Sequence, residues 1–189
     1  MPIEYVNRKG QRYYLHGRTD KRGRMRYHFS QKAEGDLVDE IPEGYEIYEH
    51  PNGQVFLRRQ RESVIRDEEV ALVEEIVAAE AAVPSFRVDV RDDYIVVYTP
   101  DQDVDGLLSI LNPFGGRERA RTEIEKVLSY SPEMRFQLKD AEARTFSVER
   151  YNYRGSIDDW IQIAGAAPLA TVARRFLYHL GRDSFFTLY

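Results

Sequence analysis

The sequence predicts an α+β protein in which a small N-terminal antiparallel β-sheet module is joined by a helix to a C-terminal mixed module. Three observations lead to this class. Short runs of β-forming residues alternate with Gly-containing turns at the start of the chain, the hydrophobic period then becomes helical, and further hairpins with two or more helices follow. We expect these parts to span residues 1–62, 63–83 and 84–189.

The first module is predicted to begin as a three-stranded meander. Each strand run is rich in aromatic and β-branched residues, and polar turns that contain glycine separate the runs. We expect strands at residues 3–6, 12–16 and 25–29. A hairpin over residues 45–50 and 54–58 should follow, because Asn52-Gly53 supplies the positive φ angles of a tight turn. All five strands should belong to one small sheet.

A connecting helix is predicted over residues 67–82. Three acidic residues at its start suit the positive end of a helix dipole, and Pro84 ends the run. The apolar residues recur at helical spacing and are Val70, Val73, Ile76 and Val77.

The C-terminal module is predicted to contain two hairpins and two helices. The strands are expected at residues 86–90, 94–98, 134–138 and 145–151. One helix should cover about 116–129. The last helix should begin with Pro168 at its first position, continue along an apolar stripe to Leu180, and be capped by Gly181.

Composition excludes several classes of protein. The 189 residues include no cysteine, so a disulfide framework, a thiolate nucleophile and a Cys-ligated zinc or iron–sulfur site are excluded. No apolar run approaches the roughly 18 residues that a membrane span needs. The N-terminal residues lack the features of a secretory signal, so we expect a soluble, cytoplasmic protein without membrane contact. No motif indicates a cofactor.

Charge is unevenly spread along the chain. Residues 1–32 carry nine Lys and Arg against two acidic residues, a net charge of +7, whereas the whole chain carries −5. Residues 33–57 contain seven acidic residues and no Lys or Arg. This asymmetry suggests an anionic partner for the first segment.

The basic meander is the candidate nucleic-acid site. Alternation along the strands places cations and a stacking aromatic on one face, a mixture that binds phosphates and bases. The candidate residues are Arg12, Tyr14, His16, Arg18, Arg22, Arg24, Arg26 and His28. Two alternatives remain open. The face can be an ordinary solvated one neutralised by the adjacent acidic strand, or it can bind a protein.

Residues 101–106 match the first half of a calcium loop, with carboxylates at positions 1, 3 and 5 and glycine at position 6. Position 12 is Asn112 rather than a bidentate glutamate, and a strand rather than a helix precedes the loop. We therefore interpret it as an acidic loop whose Asp caps the segment 106–111.

Residues 149–160 form the densest cluster of reactive side chains. An enzyme that uses Glu149, Asp158 or Asp159 in a cleft between modules is the alternative function, but no spacing of a known nucleophile motif supports it. We expect the aromatic residues of this segment to pack at a module junction and one of the two Asp residues to begin a turn.

The four histidines are too scattered to predict a metal site, and we expect none. The apolar C-terminal residues Phe185, Phe186 and Leu188 are expected to pack against the last helix. These observations together favour a non-enzymatic protein that binds a macromolecule, either a protein or a nucleic acid.

Overall fold

A computed structural model of the chain describes residues 1–111, 116–154 and 157–189. It confirms the α+β class. Within these residues ten strands form three antiparallel sheets, accompanied by four α-helices and a final 3₁₀ helix. The chain divides into two compact units. Unit 1 comprises residues 1–62 and 108–128, and unit 2 comprises residues 63–107 and 129–189.

The bounds of the elements follow chain order. The strands are β1 (Glu4–Val6), β2 (Arg12–Thr19), β3 (Met25–Ser30), β4 (Tyr45–Glu49), β5 (Val55–Arg59), β6 (Arg87–Arg91), β7 (Tyr94–Pro100), β8 (Tyr130–Asp140), β9 (Thr145–Arg154) and β10 (Ile157–Pro168). The helices are α1 (Asp67–Glu80), α2 (Val104–Leu111), α3 (Arg117–Val127), α4 (Leu169–Leu177) and the 3₁₀ helix Asp183–Thr187.

The first three strands of unit 1 form the predicted meander, in the order β1-β2-β3. Strand β2 extends three residues beyond the predicted end, because Gly17, Arg18 and Thr19 pair with Tyr27, Arg26 and Met25 of β3. On the opposite edge of β2, a short segment at residues 36–38 bonds to it beyond the stretch that pairs with β1. The N–H of Gly17 donates to the carbonyl of Asp36, and the N–H of Val38 donates to the carbonyl of Leu15, both at 2.9 Å. These bonds satisfy backbone groups that would otherwise face an open edge.

The predicted hairpin of β4 and β5 is present, but it forms a separate two-stranded sheet. The expectation of one sheet over residues 2–60 is therefore wrong. The expectation for Asn52 is also wrong, because only Gly53 of the pair has a positive φ, at 80°. Glu49 pairs with Val55, so five residues connect the strands, and a longer turn needs fewer left-handed residues than a two-residue one.

Arg8 holds the C-terminal end of α3 within unit 1. Its guanidinium donates to the carbonyls of Glu125 at 2.7 Å and Leu128 at 3.1 Å, and to the carbonyl of Pro51 at 2.6 Å. The last carbonyls of a helix lack partners in the helix and carry the negative end of its dipole, so a cation suits this position.

The sheet of unit 2 has five antiparallel strands in the order β10-β9-β8-β7-β6, and both predicted C-terminal hairpins lie within it. Helices α1 and α4 pack against each other, α4 contacts β9 and β10, and α1 contacts β6. The shared core consists of Val73, Ile76, Val77, Ile95, Val97, Met134, Phe136, Phe146, Val148, Val172, Phe176 and Leu177, among others.

Helix α1 begins at the predicted residue and ends two residues early. The carboxylate of Glu69 accepts the N–H of Arg66 at 2.9 Å, which satisfies one donor at the helix start. The same carboxylate forms a two-point ion pair with Arg144 from the turn between β8 and β9. These contacts lower the pKa of Glu69 against the opposing effect of its burial.

Strand β10 is the main departure from the sequence-based prediction. The sequence predicts that one of Asp158 and Asp159 begins a turn, but both lie inside this strand, opposite Tyr153 and Asn152 of β9. Register shifts interrupt β10 between Gln162 and Ala167, and its second half consists mostly of small residues. Such a sequence has little intrinsic strand preference, so pairing with β9 imposes the conformation.

The end of the chain differs from the prediction in three details. Pro168 is the last residue of β10 and precedes α4 instead of occupying its first turn. The helix ends at Leu177, and Gly181 adopts a φ of 76° in the turn that follows. Phe185 is buried, as expected, at 4% exposure, whereas Phe186 is 55% exposed.

The sheet face turned away from the helices carries an aromatic and cationic cluster. The guanidinium of Arg135 lies 4.3 Å from the ring centre of Tyr94 and 4.2 Å from that of Trp160. Glu149 accepts a hydrogen bond from the same guanidinium. Trp160 also meets Tyr151 edge to face, with ring centres 5.2 Å apart. These contacts fix β10 to its neighbours.

Candidate nucleic-acid interface

Cross-strand register brings most of the candidate residues to one face of the β1-β2-β3 sheet. His16 lies opposite His28, and Arg18 lies opposite Arg26. Directly opposed residues share a face, as do alternate residues along one strand. Tyr14 and Arg12 therefore join this face further along β2.

The two histidines form a stacked pair on the same face, next to the Arg18–Arg26 pair. Their ring centres are 5.3 Å apart and the rings are inclined by 21°. His16 is 6% exposed, and its Nε2 lies 2.9 Å from the carbonyl of Lys32, so this nitrogen carries the proton. His16 thus has a structural role, whereas His28 is exposed to solvent.

The turn between β2 and β3 is held by the carboxylate of Asp20. Its Oδ1 accepts the backbone N–H of Arg22 at 2.8 Å and that of Arg24 at 3.0 Å. The hydrogen bonds from Arg24 and Arg22 lower the pKa of the Asp20 carboxyl. Gly23 supplies the left-handed conformation, with a φ of 76°. The turn is therefore ordered through its backbone, and its cationic side chains are not needed to hold it.

We call the cationic end of this hairpin the basic tip. It consists of Arg18, Lys21, Arg22, Arg24 and Arg26, all of them exposed. Arg26 donates to Asp20 Oδ2 at 3.3 Å. The other four form no ion pair with any residue that the structure describes. Lys21 is not among the candidate residues predicted from the sequence, although its place beside Arg22 in the turn could have indicated it.

The opposite end of the face is neutralised locally. Arg12 forms an ion pair with Glu4 of β1 at 2.7 Å, and Tyr14 is half-buried. The eight candidate residues therefore separate into two groups. Arg12, Tyr14 and His16 are engaged by their own unit, whereas Arg18, Arg22, Arg24, Arg26 and His28 are presented to solvent.

The acidic segment that follows has other partners. Glu46 pairs with Arg58 across the β4-β5 hairpin at 2.7 Å. Glu49 accepts hydrogen bonds from the Tyr5 hydroxyl and the Arg8 N–H, each at 2.9 Å. Among the described residues no acid of residues 33–57 forms an ion pair with the basic tip, which leaves its charge available to an external anion.

The remaining candidate residues have local roles. Asp103 Oδ1 accepts the N–H of Gly106 at 3.0 Å, so it caps α2, which begins at Val104 rather than at residue 106. The position predicted for the twelfth calcium ligand, Asn112, lies outside the described residues. No group of three potential metal ligands occurs within the described part of the chain.

The three acidic residues of the alternative enzyme hypothesis do not form one site. Glu149 is bound to Arg135 on the outer sheet face. Asp158 and Asp159 are exposed, and Asp159 Oδ1 accepts the N–H of Trp160 at 2.7 Å. Neighbouring residues of a strand point to opposite faces, so Asp158 and Asp159 do not form an acid–base pair.

Comparison with known proteins finds no matching family model, and no curated protein or solved structure is significantly similar to the chain. None of the helices within the described ranges combines the length and apolar character needed to cross a membrane.

Proposed function

We propose that unit 1 binds the phosphate backbone of a nucleic acid through the basic tip. The observation that carries this proposal is the direct opposition of Arg18 and Arg26 on paired strands, next to three further exposed cations and a single carboxylate. Like charges directly opposite each other in a sheet are destabilising. An external anion would relieve this repulsion by lying between them.

The shape of the basic tip is compatible with a nucleic-acid groove. A two-stranded antiparallel ribbon fits the major groove of a B-form duplex, where side chains at its end reach both flanking backbones. Guanidinium groups bind phosphate oxygens with two parallel hydrogen bonds. The exposed ring on this face is His28, while Tyr14 is half-buried, so contacts to phosphate outweigh base stacking.

The proposal predicts binding that weakens steeply with salt. Anisotropy of a labelled oligonucleotide, single-stranded and duplex, should be measured over a series of salt concentrations. Each neutralised phosphate contributes about −0.9 to the logarithmic slope for a duplex. Arg24→Glu removes one contact and introduces repulsion, so we expect at least about tenfold weaker binding and a shallower slope.

Arg59→Glu is the matched control, because Arg59 is an exposed cation of β5 in the same unit and undergoes the same charge change. It should alter affinity by less than about twofold at moderate salt, since it lies outside the basic tip and salt screens exposed surface charges. Absence of binding at low salt, or an equal loss in both variants, contradicts the proposal. Absence of binding at low salt would favour a protein partner instead.

A further inference from the structure

Unit 2 contains a cavity of about 370 Å³ that the proposed function does not use. Most residues of three stretches of chain, 82–84, 99–105 and 180–186, line it, together with Glu133 of β8. Its apolar wall consists of Val83, Pro84, Pro100, Val104, Leu180, Phe185 and Phe186. This volume lies within the range of about 300–1,000 Å³ that is typical of small-molecule sites.

The polar part of the lining is strongly acidic. Its carboxyl groups belong to Asp103, Asp105, Glu133 and Asp183. The lining contains one cation, Arg182, and its guanidinium donates to the carbonyls of Glu80, at 2.9 Å, and Tyr178. The same group lies 3.9 Å from the ring centre of Tyr178. Arg182 is held against carbonyls and a ring outside the lining, and the four carboxyl groups outnumber this single cation, so the lining has an excess of negative charge.

Glu133 is the carboxyl group least accessible to water in this set. Burial, followed by the nearby Asp101 carboxylate, raises its pKa to about 7, against opposing effects from Arg150 and a hydrogen bond from Tyr153. Arg150 itself is buried and donates through Nε to the carbonyl of Leu188 at 2.8 Å. The charged and titratable groups around Glu133 are thus Asp101, Asp103, Asp105, Arg150, Tyr153, Arg182 and Asp183.

We propose that this cavity binds a small organic cation, an amine carried on an apolar body, whose ammonium group is received by Glu133. The apolar wall suits the body of such a ligand, and an ammonium group supplies the positive charge that the lining lacks. The aromatic rings at 185 and 186 add a favourable surface for a cation. A simple inorganic cation would leave the apolar wall exposed to water, whereas an anion would face four carboxyl groups.

Calorimetric titration of the full chain with three probes of similar size tests the proposal. The probes are 2-phenylethylamine, 2-phenylethanol and phenylacetate, which all carry a phenyl ring on a two-carbon chain and differ in the polar group at its end. We expect saturable binding of the amine, at least about tenfold weaker binding of the alcohol, and none of the carboxylate up to about 10 mM. Equal binding of the amine and the alcohol, or no binding of the amine, overturns the proposal.

The proton on Glu133 gives a second readout that needs no variant. An ammonium group stabilises the ionised carboxyl, so amine binding should release a proton near pH 7. Affinity should fall by at least about tenfold between pH 8 and pH 5.5, because the carboxyl must first lose its proton at the lower pH. Titrations in buffers of different ionisation enthalpy measure the released proton directly, and its absence contradicts a role for Glu133.

Glu133→Gln and Glu142→Gln form a matched pair of variants. Glu142 is exposed in the turn between β8 and β9 and lies outside the cavity lining. We expect Glu133→Gln to weaken amine binding at least about tenfold at pH 8 and to remove its pH dependence, whereas Glu142→Gln should leave both unchanged. Unaltered binding in Glu133→Gln rejects the assignment of the ammonium site.

Discussion

At the scale of single residues, ionisation of Glu133 opposes folding. Its carboxyl is held largely away from water beside Asp101, and its pKa is raised from 4.5 to about 7. A carboxyl whose pKa is higher in the folded state than in the unfolded one binds its proton more tightly when folded. Its contribution to stability is therefore complete at low pH and is lost as the pH rises from about 4.5 to about 7.

Glu133→Gln should remove this pH dependence. We expect the variant to match the wild type near pH 4.5 and to exceed its free energy of unfolding at pH 8 by on the order of 2 kcal/mol, a figure reduced for partial exposure of the group. Urea titrations at several pH values, followed by circular dichroism, measure the difference. A constant difference across this range would show that Glu133 ionises normally in the fold.

Arg8 acts at the same scale in unit 1, where one side chain serves three backbone carbonyls. Arg8→Ala should lower the free energy of unfolding by about 2 kcal/mol, since hydrogen bonds from charged groups contribute about 1.5–3 kcal/mol and water replaces part of the loss. Urea unfolding measures the effect. Arg59→Ala is the comparison variant. If Arg8→Ala lowers the free energy of unfolding no more than Arg59→Ala does, water replaces the hydrogen bonds of Arg8 completely.

At the scale of elements, the turn after α4 depends on a close approach between two backbones. Gly181 has a φ of 76°, and a Cβ at this position would lie 2.2 Å from the carbonyl oxygen of Ala82. Gly23, in the turn between β2 and β3, has the same φ of 76° with no atom within 4 Å of its Cβ position. Both glycines thus need a left-handed backbone conformation, but only Gly181 also lacks the space for a Cβ atom.

This difference predicts unequal effects of the same substitution. Gly23→Ala should cost about 1 kcal/mol, the strain of a left-handed residue with a side chain. Gly181→Ala should cost about 2 kcal/mol more, because the chain must move apart where residues 82 and 181 meet. Thermal or urea unfolding of both variants provides the comparison. If both variants lose the same free energy of unfolding, the backbone around residues 82 and 181 moves apart at no cost in stability.

Elements whose residues have a clear strand or helix preference could be predicted from the sequence, whereas strand β10 could not, although it pairs with β9 directly before it in the chain. The β2-β3 hairpin and helix α1 follow from alternation, turn residues and helical spacing within about fifteen residues, and the basic tip with them. Strand β10 escaped prediction because Ala164, Gly165 and Ala166 have no preference for a strand. Its conformation depends on β9 and on the side chains that surround Trp160.

At the scale of the whole molecule, each candidate site belongs to a different unit and has the opposite charge. The basic tip lies in unit 1, within one short hairpin, so its composition alone indicated it. The acidic cavity lies in unit 2 and takes its lining from four separate stretches of chain. The sequence indicated Asp101, Asp103 and Asp105 only as a partial calcium loop, because nothing local indicates that Glu133 and the C-terminal rings lie nearby.

The placement of Trp160 has a practical consequence. It is the single tryptophan of the chain, and its indole lies against Arg135 and Tyr151 within unit 2. Fluorescence excited at the red edge of the absorption band therefore originates from this one ring. The wavelength of this emission should shift when the cluster opens to water. The protein thus carries an intrinsic optical probe for the strand that sequence patterns failed to predict.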